Sequence, residues 1–234
     1  MYFAGLQKFT LLDYPEKVAC TVFTYGCNFR CPFCHNPELV WKNENPNIFS
    51  EDEIYDFMKT RVGKLDGIAV TGGEPLLHYK DLMAFLKKVK DLGFGIKVDT
   101  NGSLPRALEE SINLGIVDYW AMDVKSDEDS YSTLIGGNFV TFEKIARSMK
   151  LIRESGVDYE FRTTVLKGLH TEKTMHNIGK LVANTKRFTI QNYRHGKTLD
   201  PAYNSNRFEF NPDELARFKE ILEQYNIGTI IIRE

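Results

Sequence analysis

Three of the four cysteines in this 234-residue chain fall within eight positions, as Cys27-Asn-Phe-Arg-Cys31-Pro-Phe-Cys34. Thiolates are soft ligands, suited to zinc or to iron–sulfur clusters. A structural zinc site needs a fourth ligand in tetrahedral geometry. His35 is a conceivable fourth ligand, but it adjoins Cys34, and one loop would struggle to wrap an ion with both. Three thiolates without a fourth suit a cubane cluster in which one iron stays open, whereas most electron-carrying clusters use four cysteines. The remaining cysteine, Cys20, lies inside an apolar run and reads as a small buried hydrophobe.

Four further segments could do chemistry. Thr71-Gly72-Gly73-Glu74-Pro75 could be a helix-entry turn, or a place where glycines let the backbone approach a ligand. Asp99-Thr100-Asn101-Gly102 ends in a turn-forming dipeptide, but Asp99 itself closes a strand-like run. Asp123 and Lys125 are two apart, which on a strand puts them on one side, and the bland alternative is a surface ion pair. Arg162 sits within the apolar run Phe161–Val165, where a guanidinium must find an anion or face solvent. A last polar stretch, Gln191–Lys197, contains Arg194 and His195.

These residues need a scaffold, and the pattern supplies one. Candidate strands are Val18–Tyr25, Gly67–Thr71, Gly95–Asp99, Tyr119–Val124, Tyr159–Val165, Phe188–Asn192 and Gly228–Ile232. Most are rich in Val, Ile, Phe and Thr, as buried parallel strands are. Between them lie amphipathic stretches. Ser50-Glu51-Asp52-Glu53 is a capping box opening a helix with Ile54, Phe57 and Met58 on one face. Leu82, Phe85, Leu86 and Val89 form a helical stripe, and Asn211-Pro212 opens the helix that carries Leu215, Phe218, Ile221 and Leu222. Repeated β-then-α alternation predicts an α/β fold with a parallel sheet. About six units fit, so the sheet is either open or a partial TIM-like (β/α)6 barrel, and chemistry should gather at the carboxyl ends of the strands. The motifs above follow strands, as that rule requires.

The chain is expected to form a single domain over residues 1–234, with a metal loop at 26–36, a core over about 18–200, and a C-terminal helix and strand at 211–232. Its size allows burial of roughly 70% of the unfolded surface, so it needs no disulfides. A net charge of −2 without basic runs argues against nucleic-acid binding through bulk charge. The N-terminal sequence lacks a secretory pattern, and no apolar stretch is long enough to span a membrane, so the expected location is the cytoplasm.

The cysteine motif, preceded by Gly26 and followed by His35-Asn36, resembles the radical S-adenosylmethionine superfamily, and within it the activases of glycyl radical enzymes. The similarity runs from Gly5 to about Tyr203. Gly5-Leu6-Gln7, Asp13-Tyr14-Pro15 and the segment from Cys31 to Leu39 look most like the anaerobic ribonucleoside-triphosphate reductase activating branch. The resemblance implies the partial barrel and a [4Fe–4S] cluster on Cys27, Cys31 and Cys34. It implies reductive cleavage of S-adenosylmethionine to a 5′-deoxyadenosyl radical, which takes a hydrogen from a glycine of a partner enzyme. It places Asn36, Gly72, Gly73, Glu74, Asp99, Asn101 and Arg162 around the cofactor, with a monovalent cation beside Asp99. Lys125 would meet the cofactor and Asp123 the polypeptide substrate. The adenine-contacting histidine of related activases falls nearest Arg194, one residue off His195, so either could serve. Flavodoxin or ferredoxin would supply electrons. The rival expectations are an activase of the pyruvate formate-lyase type and an enzyme acting on a small molecule, such as a deazaguanine-forming synthase.

Overall fold

The computed structural model describes residues 1–40 and 48–234. Nine strands make one sheet: β1 (Tyr2–Thr10), β2 (Ala19–Thr24), β3 (Phe49–Ser50), β4 (Gly67–Gly72), β5 (Gly95–Thr100), β6 (Tyr119–Asp123), β7 (Asp158–Val165), β8 (Arg187–Asn192) and β9 (Thr229–Arg233). The helices are α1 (Pro37–Val40), α2 (Glu51–Lys59), α3 (Tyr79–Lys90), α4 (Pro105–Asn113), α5 (Glu128–Leu134), α6 (Phe142–Glu154), α7 (Glu172–Leu181) and α8 (Pro212–Leu222). The strand order is β3-β1-β2-β4-β5-β6-β7-β8-β9. From β2 to β9 every pairing is parallel, whereas β1 runs antiparallel to both β2 and β3.

All seven anticipated strands are present, and β1 and β3 are additions to them. β1 escaped notice because Gly5, Gln7 and Lys8 interrupt its apolar pattern, and its residues from Gln7 to Phe9 face solvent. β3 has only two residues, too few to leave a periodic signal. Both expected capping boxes form. Ser50 and Glu53 close the start of α2, and Asn211 and Glu214 the start of α8 with Pro212 in its first turn.

Strand pleating sorts each strand into two faces. Ile68, Val70, Ile96 and Val98 point outward into the main core, with Leu82, Phe85, Leu86 and Val89 of α3. Cys20 shares that outer face; its Sγ lies 3.4 Å from the Met58 sulfur on α2, and burial pushes its thiol up to about 12. It is a core hydrophobe. The opposite face is concave: Tyr14, Ala19 of β2, and Tyr119 and Ala121 of β6 cluster together although two strands separate β2 from β6. The end strands β3 and β9 do not pair with one another, so the barrel is partial. Among the described residues, no helix is long and apolar enough to cross a membrane.

Candidate active site

The loop after β2 carries the three clustered cysteines. It is anchored by its own apolar residues, because Phe29 and Phe33 alternate with the thiols and are buried in the core. Burying such a ring contributes roughly 1.5–3 kcal/mol, enough to fix a loop without regular structure. Arg30 donates to the carbonyls of Cys27 and Phe29 at 2.6 and 2.7 Å. From outside, the Leu199 N–H donates to Cys34 O and the Asp200 N–H to Pro32 O.

Cys27, Cys31 and Cys34 line a cavity of about 240 Å³ at the carboxyl ends of the strands. Asn36, Gly72, Gly73, Asp99, Asn101, Asp123, Lys125 and Arg162 line the same cavity. The structure therefore brings together most of the residues singled out from the sequence. Thr71, the first residue of the glycine motif, and Thr164 also face it; Thr164 lies two residues along β7 from Arg162, which is the signal that would have found it.

Ion pairing fixes the inner wall. Arg162 on β7 donates from Nε to Asp123 at 2.8 Å and from Nη1 to Asp99 at 2.9 Å. Lys125 donates to the other Asp123 oxygen at 2.8 Å, and Lys97 hydrogen-bonds the other Asp99 oxygen. The chain Lys97–Asp99–Arg162–Asp123–Lys125 thus spans three strands and carries three cations to two anions. Burial alone would raise the two carboxyls, but Arg162 beside both outweighs it and holds each below the usual carboxylate range. Lys125 moves the other way: burial opposes its charge, and Asp123 more than restores it.

Gly73 shows why no side chain is tolerated in the turn after β4. A Cβ there would sit 1.9 Å from Gly26 O, inside the backbone of the cysteine loop. The preceding Gly72 has φ +121°, a conformation that side-chain-bearing residues rarely adopt.

Two expectations need correction. Glu74 does not reach the cavity. It is fully buried, and its carboxylate accepts from Leu76 N at 3.0 Å, Thr100 Oγ1 at 2.8 Å and Asn101 N at 2.6 Å. Those donors draw it sideways into the neighbouring turn. Arg194 and His195 do not reach it either: both pair with Glu209, and their side chains are 56% and 60% exposed. No local pattern links His195 to Glu209, which lies 14 residues beyond it. His35 also lines the cavity, while its ring stacks on Tyr193 and contacts the Arg194 carbonyl at 2.6 Å.

The sequence matches the Radical SAM superfamily profile over residues 21–181. The chain belongs to that superfamily. A Methanocaldococcus jannaschii protein described as a glycyl-radical enzyme activating enzyme is 30% identical over 98% of this chain and 95% of its own length. The pyruvate formate-lyase-activating enzyme of Clostridium pasteurianum is 26% identical over 81% of this chain and 80% of its own. A 7-carboxy-7-deazaguanine synthase of Thermococcus kodakarensis is 30% identical, over 56% of this chain and 57% of its own. Among solved structures, Streptococcus suis SuiB bound to S-adenosylmethionine superposes with a TM-score of 0.70 at 16% identity, over 90% of this chain and 49% of SuiB. That likeness identifies the fold, the partial barrel of radical SAM proteins.

A radical SAM enzyme implies a 4Fe–4S cluster and S-adenosylmethionine, and the residues fit both. Among the described residues no three His, Cys, Asp or Glu groups converge on a point where one ion could sit. The three cysteines nevertheless share one cavity, as ligands to separate irons of a larger cluster would. Burial raises the thiols of Cys27 and Cys31 to about 11 and 12, so iron must displace their protons on binding. The cavity lining pairs two cations, Lys125 and Arg162, with Asp99 and Asp123, and the Arg162 guanidinium, held through Nε and Nη1, is the group there that suits a carboxylate. The monovalent cation expected beside Asp99 does not fit: Lys97 and Arg162 already take one oxygen each.

Proposed function

We propose that this enzyme is a glycyl radical activase, whose partner is an anaerobic ribonucleoside-triphosphate reductase. The observation that carries the activase reading is length. Similarity to the M. jannaschii activating enzyme spans 98% of the chain, whereas similarity to the deazaguanine synthase spans 56%. Similarity to the pyruvate formate-lyase-activating enzyme over 81% favours a second reading, an activase of that type.

When bound, the cluster and S-adenosylmethionine supply one-electron cleavage and a carbon radical able to take a hydrogen atom. The chain's own contribution is placement. Cys27, Cys31 and Cys34 would ligate the cluster through three thiolates, leaving room for the cofactor to bind. Gly72 and Gly73 let the backbone approach its amino group, and Arg162 faces its carboxylate. Asn36, Asp99 and Asn101 complete the cofactor's surroundings, with Glu74 acting behind them. Lys125 contacts the cofactor, and Asp123 meets the backbone of the entering glycine loop. Holding the glycine α-carbon in van der Waals reach of the reacting carbon is the principal task of this wall. Arg194 and His195 take part only if their loop turns inward. Residues 1–234 act as one domain. The four free cysteines suit the reducing cytoplasm, where flavodoxin or ferredoxin supplies the electron.

The test is anaerobic incubation of the reconstituted protein with S-adenosylmethionine, a reductant and candidate glycyl radical enzymes from the same genome, followed by electron paramagnetic resonance. A glycyl radical on the ribonucleotide reductase is the expected result. A radical on a formate-lyase-type enzyme alone supports the second reading. No radical on either, together with turnover of a small molecule, overturns both.

A further inference from the structure

Lys97 is the buried end of the ion-pair chain, and the cavity lining does not include it. It lies on β5 two residues before Asp99, so strand pleating turns both side chains to the concave face. It is fully buried, and its registered neighbours are Ala69 on β4 and Tyr119 on β6, neither of them an anion. Burying an ammonium carries a desolvation cost of several kcal/mol unless a partner repays it closely. The partner is Asp99, which Lys97 engages on one oxygen while Arg162 engages the other. Arg162 is itself divided, with Nε on Asp123 and Nη1 on Asp99. A guanidinium shared this way keeps its position only if neither carboxylate pulls harder than the other. Asp123 has Lys125 as its second cation, at 2.8 Å. Asp99 has Lys97. Each of these carboxylates thus has a lysine as its second cation, while fully buried Glu160, two residues before Arg162 on β7, adds a further negative charge beside the guanidinium.

We propose that Lys97 is a built-in monovalent cation: its ammonium fills the counter-charge position at Asp99 that a dissolved ion would otherwise occupy, and so keeps Arg162 balanced between Asp99 and Asp123. An ammonium carries the same unit charge as a potassium ion, and its covalent tether makes occupancy independent of salt composition. Lys97 touches neither cofactor nor substrate in this scheme; it is a positioning residue acting through Asp99 and Arg162. The inference rests on the cofactor-site reading above, but not on the identity of the partner enzyme.

The experiment measures two quantities at constant ionic strength, in potassium, sodium, ammonium or tetramethylammonium chloride. One is thermal unfolding of the cluster-free protein; the other is S-adenosylmethionine binding to the reconstituted protein. Tetramethylammonium is too bulky to enter a closed carboxylate site, so it reports the condition without a usable ion. The wild-type protein should give the same midpoint and the same affinity in all four salts. Lys97→Met, close in size and uncharged, should lose at least about tenfold in affinity in tetramethylammonium, as expected when a buried carboxylate loses its partner. Potassium or ammonium should restore most of that loss and raise the variant's unfolding midpoint. A wild-type protein that weakens when small cations are withdrawn overturns the proposal, because a free ion is then required. A folded Lys97→Met that responds equally to all four salts overturns it too, since Lys97 is then only a packing element. If Lys97→Met folds only in potassium or ammonium chloride, the proposal is supported; if it folds in none, the wild-type comparison decides. Failure to make a glycyl radical on any partner would leave both readouts intact.

Discussion

The two sides of the cavity mouth are built differently. Along β5, β6 and β7 the charged groups interlock, with Arg162 bonded to Asp99 and Asp123 at 2.9 and 2.8 Å and a lysine closing each end. Beyond β8, Arg194 and His195 turn away from the cavity and share Glu209 near the solvent. The first side is largely buried, Asp123 being 26% exposed, and there removing one partner leaves a poorly compensated charge. The second is an exposed ion pair of the kind worth little. Position on the inner wall is therefore set before any ligand arrives, whereas the Arg194 and His195 side chains are held only by their exposed pairing with Glu209, although the neighbouring Tyr193 is buried.

This contrast predicts a graded response to mutation. Replacing Cys27, Cys31 or Cys34 with Ala should abolish the visible iron–sulfur absorbance and activity together, since each removes one of only three thiolates. Cys20→Ala should keep the absorbance; its loss there would place Cys20 among the ligands. Next comes Arg162→Met, which strands two buried carboxylates and should cost about 3–5 kcal/mol in urea unfolding of the cluster-free protein. It should also weaken S-adenosylmethionine binding, and a stability loss under about 1 kcal/mol would show that the wall is not interlocked. The smallest effect belongs to Glu209→Gln, under about 1 kcal/mol. Hydrogen bonds from the His195 backbone and ring, and from Arg194, hold the Glu209 carboxyl down at about 2. A depressed carboxyl stabilises the fold above its ordinary range and loses that contribution as pH falls toward 2. The difference between wild type and Glu209→Gln should therefore shrink between neutral and acidic pH. Cofactor affinity should not change, and a large loss would bring the β8 loop into the site.

Legibility in the sequence followed the same division. The parallel strands were plain because those from β2 to β8 bury most of their residues on both faces and so read as largely apolar runs. The cysteines, Gly72, Gly73, Asp99, Asp123, Lys125 and Arg162 were readable because they follow those runs, and the fold gathers them in one cavity. Lys97 passed unnoticed, although it stands at an even step from Asp99 within the same strand. Glu74 was misjudged because a motif gives residue types, not the direction of a side chain, and three nearby donors set that direction. Arg194 and His195 were misjudged because their partner, Glu209, lies on a separate segment that no local pattern connects to them. β1 is antiparallel and half exposed, so it lacks the signal of its neighbours.

Glu74 has one more consequence. Its N–H donates to Gly26 O in the cysteine loop, while its carboxylate receives Thr100 Oγ1 and the Asn101 N–H from the turn after β5. The Asn101 amide in turn reaches Asn28, the residue beside Cys27. Three turns that belong to distant parts of the chain are tied through one residue, so a disturbance in one is felt in the others. Iron loading and cofactor affinity are then thermodynamically linked: whatever orders the cysteine loop also tightens the pocket, and by reciprocity a bound cofactor guards the metal against loss.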